Sequence, residues 1–292
     1  MADKSYTPLA HRALLVVGGD DRRAFLQGLI SNDTNKLAAD RAIFGAFLTP
    51  QGKFLHDLFL AERGDEFLIE AEADRIEDFR KKLSMYKLRS KVTVAMAEGL
   101  SVFAAFGDGA ASALDLPAEA GAARRIGDGV AFVDPRLAAA GLRAWLPDAS
   151  ALSGFAEAPF AAWDQMRMEL GLPDGSRDLP VEKAILLENG FDELNGVDFQ
   201  KGCYMGQELT ARTKHRGLVR KRLMPVRIDG PVPEPGTPVI HGDAEAGEMR
   251  SVSGSVGLAL IRLEHFRAGG PFTCGAATVT PSKPDWAVFP EE

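Results

Sequence analysis

The eight residues Lys201-Gly202-Cys203-Tyr204-Met205-Gly206-Gln207-Glu208 join one of the chain's two cysteines to a lysine and two glycines. These residue types suit a functional thiol. Gly202 lets the backbone approach a ligand or take φ > 0, and Gly206 permits a second tight bend. A helix starting near Gly206 would set its positive end, with the Lys201 ammonium, beside Cys203 and favour the thiolate. Gln207 and Glu208 would cap or orient the loop. Tyr204 is either a platform for a flat ligand or a core aromatic with a satisfied hydroxyl. The plainer alternative for Cys203 is a small buried hydrophobe. Cys274, with no cation within four residues, is expected to be an inert core or edge residue. Two cysteines do not make a four-ligand site, so the chain encodes no intrinsic metal framework, although Cys203 can be one ligand of a shared cluster.

Charge is distributed unevenly around this loop. Glu188, Asp192, Glu193 and Asp198 precede it, whereas Arg212, Lys214, His215, Arg216, Arg220, Lys221 and Arg222 follow it with no acid among them. Such a cluster either focuses positive potential in a cleft that attracts polyanions or pairs with the acids upstream. Pairing Cys203 with His215 would open a thiol-hydrolase reading, but no oxyanion donors or orienting residue can be named. The net charge of −7 argues against a nucleic-acid surface, and direct nucleic-acid binding is not expected.

The elements that must position these residues are legible in part. The 292 residues suffice for two or three domains of an ordinary globular protein, with 46% hydrophobic and 26% charged residues. No run approaches a membrane span, and the first residues lack a signal-peptide pattern, so the expected location is the cytoplasm, away from membranes. Residues 13–17 predict a buried strand, followed by a helix over 21–30 capped by Asp20. Residues 42–60 predict a hairpin about Pro50-Gln51-Gly52-Lys53, and 67–69 another strand. Spacing of Ile76, Phe79 and Leu83 predicts a helix over 73–86. Strands over 91–97 and 100–106 complete an antiparallel sheet, with short strands at 130–133 and 142–146. A second helix over 159–171 ends at Gly171. Dense Pro and Gly after Leu223 favour a small β-barrel or jelly roll. The class is α+β.

The string KGCYMGQE, followed by LTARTKHRGLVRKRL, resembles the signature of the YgfZ family of folate-binding proteins, which includes mitochondrial assembly factors for iron–sulfur proteins. Residues 25–33 (FLQGLISND), 48–53 (LTPQGK) and 86–92 (YKLRSKV) fall in that family's order. The family is related to the glycine-cleavage T-protein, and the resemblance implies its three-domain ring with a central opening for tetrahydrofolate. It implies domains at 1–47 plus 154–222, at 48–153 and at 223–292. Arg167-Met168-Glu169-Leu170-Gly171 is similar to the T-protein helix ending whose glutamate holds the folate ring, which makes Arg167 and Glu169 folate-site residues. Asp57 stands in a strand resembling the T-protein's Gly-x-x-x-Asp-Asp-Leu, with His56 in place of one aspartate. That departure removes a carboxylate and speaks against active aminomethyl transfer on a transferase-like fold. The basic stretch 212–222 would suit the polyglutamate tail of a folate and would line the same cleft.

The implied function is a factor that binds tetrahydrofolate or a derivative and assembles, inserts or repairs iron–sulfur clusters in client enzymes, including those that thiolate tRNA. Cys203 would be the functional thiol, with a transient cluster and with client or assembly proteins as partners. The rival readings are a tetrahydrofolate-dependent aminomethyl or methyl transferase and a non-catalytic module that binds RNA or protein.

Overall fold

The computed structural model describes residues 4–217 and 219–289 and builds three sheets. A five-stranded sheet runs in the order Ile43–Leu48, Phe54–Arg63, Glu66–Glu72, Arg12–Gly18, Thr93–Met96. Its strand Phe54–Arg63 is buried on both faces. Phe54, Phe59 and Ala61 face the central core, while Leu55, Leu58 and Leu60 pack under the helix Ile76–Tyr86. That double burial explains a near-continuous apolar run in place of a polar alternation.

A six-stranded sheet lies against the first and takes Ser5–Pro8, Ser101–Phe106, Leu142–Leu146, Gly129–Val133, Ala123–Ile126 and the short Ala156–Glu157. Phe132 and Trp145 from this sheet meet Phe44 and Phe59 from the other in one core. The chain therefore changes sheets between Met96 and Ser101, so the strands expected at 91–97 and 100–106 belong to different sheets. The boundary expected at 47/48 falls inside the hairpin of Ile43–Leu48 with Phe54–Arg63, whose hydrogen-bonded register ties the two sides together.

The C-terminal strands Lys221–Asp229, Val256–Arg262, Ala244–Ser253, Pro238–His241, Phe272–Cys274 and Ala277–Pro281 close into a barrel, which leaves no free edge. Of the two expected forms the barrel is the one adopted. Among the described residues no helix is long and apolar enough to cross a membrane.

The helices match their patterns with shifted ends. The first spans Arg22–Gln27, with Asp21 in place of Asp20 at its start, and the Asp21 carboxylate accepts from the Lys91 backbone N–H at 2.7 Å instead of capping the helix. The helix Phe160–Glu169 carries the residues compared with the T-protein.

Candidate functional site

Cys203 is exposed, on a loop anchored on both sides. Met205 N–H donates to the Gly28 carbonyl at 3.0 Å, and Asp198 N–H to the Ser31 carbonyl at 3.0 Å. Lys201 Nζ donates to the carbonyls of Ile30 at 2.7 Å and Asn32 at 2.6 Å. Burial pushes this ammonium down to about 8, with Asp33 and Asp198 opposing the shift. The expected role of Lys201 in tuning the thiol is replaced by one the geometry supplies: it clamps the loop to residues 30–32. Three separated stretches, 25–33, 48–53 and 198–208, thus meet at one place.

The expected helix exists as Gln207–His215, and Gln207 Oε1 accepts from Tyr204 N–H at 3.2 Å, which ties the loop to the helix start. Glu208 is exposed in the first turn, where its charge suits the helix dipole. Tyr204 is a core residue, packed with Phe44 and Leu48 in the central cluster and hydrogen-bonded to Thr210, and burial pushes its phenol up to about 12. A ligand-stacking role for its ring is therefore corrected to packing. His215 lies at the far end of the helix, roughly 12 Å along the axis from Gln207 at 1.5 Å per residue, which separates it from Cys203.

The two glycines of the motif differ in what the fold asks of them. Gly206 has φ +82, and a Cβ there would lie 2.5 Å from the Thr49 carbonyl oxygen. Gly206→Ala is accordingly expected to lose at least about 1–3 kcal/mol of stability through backbone strain, read from a urea midpoint. A Cβ on Gly202 meets nothing within 4 Å and its backbone is not left-handed. Gly202→Ala should stay within about 0.5 kcal/mol of the parent.

The residues expected to hold folate do not form an open site. Asp57 is buried and its carboxylate accepts from Arg12 Nη1 at 2.9 Å. Arg12 Nε donates to Glu70 at 2.9 Å, and Glu70 also accepts from Arg143 at 2.8 Å and from the Trp145 indole at 2.8 Å. Arg167 is equally buried. It binds Asp164 at 2.6 Å and Asp178 at 2.7 Å, and Asp178 accepts in turn from the Ser251 backbone of the barrel at 3.1 Å. Asp174, held well below the usual carboxylate range by His11, Arg167 and Arg12, links the two halves, with Arg12 Nη1 at 3.7 Å.

This network of paired charges fills the junction of the two sheets and the barrel. Releasing Asp57 or Arg167 to a pterin would strand a buried charge, so neither fits that role. Glu169, by contrast, is exposed at the end of its helix. Sequence reasoning missed Arg12, Glu70, Arg143 and Asp174. The available signal was a charge inside an apolar strand, as with Glu70 in Phe67-Leu68-Ile69-Glu70-Ala71, where period two puts it on the inner face beside Leu68.

His56 points the other way, among Phe47 and Phe79, and neither of its ring nitrogens has a hydrogen-bond partner among the described residues. Burial, with Arg75 nearby, pushes it down to about 3, so it is a neutral ring.

The basic stretch divides between the helix and the first barrel strand. Lys214 pairs with Asp192 at 2.8 Å and Arg222 with Glu193 at 2.5 Å, while Arg212, Arg216 and Arg220 are exposed and Lys221 half-buried. Lys214, Arg222 and both acids line a cavity of about 350 Å³, in which burial and the adjacent Asp192 push Glu193 up to about 7. Two of the six cations are thus spent on the acids upstream.

The fold as a whole is that of a glycine-cleavage T-protein: the aminomethyltransferase T of Bartonella henselae superposes with a TM-score of 0.79 over 98% of this chain and 87% of that one, at 16% identity. Residues 220–289 match the family model of the CAF17 C-terminal β-barrel domain. The mitochondrial iron–sulfur cluster assembly factor IBA57 of Mus musculus is 36% identical and that of Homo sapiens 37%, each match covering 94% of this chain and 83% of the relative. The homologue from Neurospora crassa is 36% identical over 78% of this chain and 55% of its own length. This chain belongs to the IBA57 family of iron–sulfur cluster assembly factors, the assembly-factor branch of the resemblance stated above. The names correct the cytoplasmic expectation: these relatives are mitochondrial proteins, and the composition of the first residues is no basis for placing this chain in the cytoplasm.

Proposed function

We propose that this chain assembles or repairs iron–sulfur clusters in client enzymes by lending the Cys203 thiolate to a cluster whose other ligands come from a partner. The observation that carries the reading is an exposed thiol on a loop fixed at three points, in a chain of the assembly-factor family. Cys274 is enclosed in the barrel, 0% exposed, and burial raises its pKa. Among the described residues no three His, Cys, Asp or Glu side chains are grouped to hold a metal ion. A cluster held by four protein ligands would therefore draw most of them from elsewhere. In the exchange, the thiol of Cys203 gives up its proton and its thiolate replaces one ligand of a cluster iron, the displaced ligand leaving with that proton, with no change of oxidation state.

Enzymes that thiolate tRNA are among the clients this reading admits. The residues carried over from the T-protein support neither a pterin held by Asp57 and Arg167 nor aminomethyl transfer assisted by Asp57, since both side chains are committed to buried partners.

The test is complementation of a deletion strain. With Cys203→Ala, cluster-enzyme activity and thiolated tRNA should fall to the level of the deletion, while the unfolding midpoint of the purified variant stays unchanged because an exposed side chain contributes little packing. Full restoration by Cys203→Ala would remove the thiol from the mechanism.

A further inference from the structure

A cavity of about 670 Å³ opens beside the Cys203 loop, between the turn Thr49–Lys53 and the helix Ile76–Tyr86. Its walls are largely apolar, from Phe47, Leu48, Leu55, Met85, Tyr86 and Met205. Met205 is two residues from Cys203, so their Cα atoms are at most about 7 Å apart. Anything seated here lies next to the thiol.

Two features point to an occupant. First, the apolar surface continues beyond the cavity: Met85 is 71% and Leu88 88% exposed. Leu88 is also held at φ +45, a left-handed conformation that costs a leucine about 1–2 kcal/mol with no burial to offset it. A small molecule in the cavity would reach Met85 but leave Leu88, which is not part of the lining, in water, whereas a protein segment would cover both.

Second, the charge balance around the cavity is positive in a chain of net charge −7: Lys53, Lys81 and Lys82 line it against Asp78 and Glu182, and the chain leaving the helix beside it adds only cations. From Arg80 to Lys91 there are six Lys or Arg residues and no acid. Arg80 and Lys82 pair with Glu77 and Asp78, each at 2.7 Å. Lys81, Lys87 and Arg89 have no ion-pair partner among the described residues and face solvent wholly or in part.

We propose that this cavity docks an acidic segment with apolar anchors, belonging to the protein that shares or receives the cluster at Cys203. The proposal rests on the Cys203 reading for the identity of the partner, but not for the binding itself. Apolar side chains would fill the cavity and cover Met85 and Leu88. Carboxylates would meet Lys81, Lys87 and Arg89, where complementary charge speeds encounter and sets orientation.

The test uses the full chain and a panel of fluorescein-labelled synthetic helical peptides with Leu and Phe on one face and Glu on the other, together with counterparts in which every Glu is Lys. Fluorescence anisotropy should show saturable binding of acidic peptides, weakened tenfold or more by Lys81→Glu and by Met85→Asp. Arg227→Glu, an equal charge change on the exposed barrel surface, and Cys203→Ala should leave it unaltered. Both docking positions are exposed, so folding is not at stake. In the complemented strain the same two variants should lower cluster-enzyme activity with Cys203 intact. Equal binding of the basic peptides, binding of neither series, or saturable tetrahydrofolate binding that is lost in Lys81→Glu without any peptide binding would overturn the docking assignment. If that happens while Cys203→Ala still abolishes cluster function, the thiol reading survives alone.

Discussion

Arg12→Met is expected to lower the free energy of unfolding by about 3–5 kcal/mol, the usual cost of breaking a buried ion pair from one side. The guanidinium is fully enclosed, and the surrounding Asp57, Glu70 and Asp174 hold it protonated above its ordinary range despite burial. Its loss is felt unequally by these partners. Glu70 keeps Arg143 and the Trp145 indole, and Asp174 keeps His11 and Arg177. Asp57 keeps no ion-pair partner within 4 Å among the described residues, only the longer-range attraction of Arg136, so most of the cost falls on this one buried carboxylate. The check is urea unfolding of Arg12→Met beside the double variant Arg12→Met with Asp57→Asn. The double variant should recover a large part of the loss, since a neutral amide removes the stranded charge. A single-variant cost below about 1 kcal/mol, typical of exposed pairs, would mean that water reaches the junction of the three bodies.

The second large effect is a dependence on pH that His56 controls. In the fold its pKa is pushed down to about 3, whereas an unfolded histidine titrates near 6.5. The unfolded chain therefore binds the extra proton first. The contribution of the neutral ring is fully present above pH 6.5 and is lost as pH falls towards 3, the loss having reached about 2 kcal/mol at pH 5. His56→Phe keeps an aromatic ring among Phe47 and Phe79 and removes two nitrogens that have no partner. At pH 7 this variant should match or exceed the parent in stability, because an unsatisfied buried polar group costs about 1–3 kcal/mol. Between pH 7 and 5 the difference should widen by about 2 kcal/mol in favour of the variant. Parallel stability curves over that interval would show that the parent histidine protonates in place, and so that the ring is reached by solvent.

Strand and helix identities were legible because periodicity depends only on neighbours in sequence. Ile76, Phe79 and Leu83 share a helical face whatever surrounds them, and Gly206 before a polar run marks a bend at a helix start. The Cys203 motif was legible for the same reason: its glycines, cysteine and glutamine lie within eight residues. The β-rich end, too, could be read from its density of proline and glycine, although the choice between a barrel and a jelly roll could not.

What each charged residue does had to wait for the tertiary structure. Asp57 looks the same in sequence whether it faces a cleft or Arg12, 45 residues away, and only the packing of two sheets on one another decides. Lys201 beside Cys203 in sequence suggests a partner for the thiol, yet its ammonium is drawn to the carbonyls of Ile30 and Asn32, about 170 residues earlier, because a half-buried ammonium gains most where oxygen atoms converge. The sequence by itself determined the elements and the chemical groups available. The tertiary structure decided which groups are neutralised by buried partners and which, like Cys203, are left exposed.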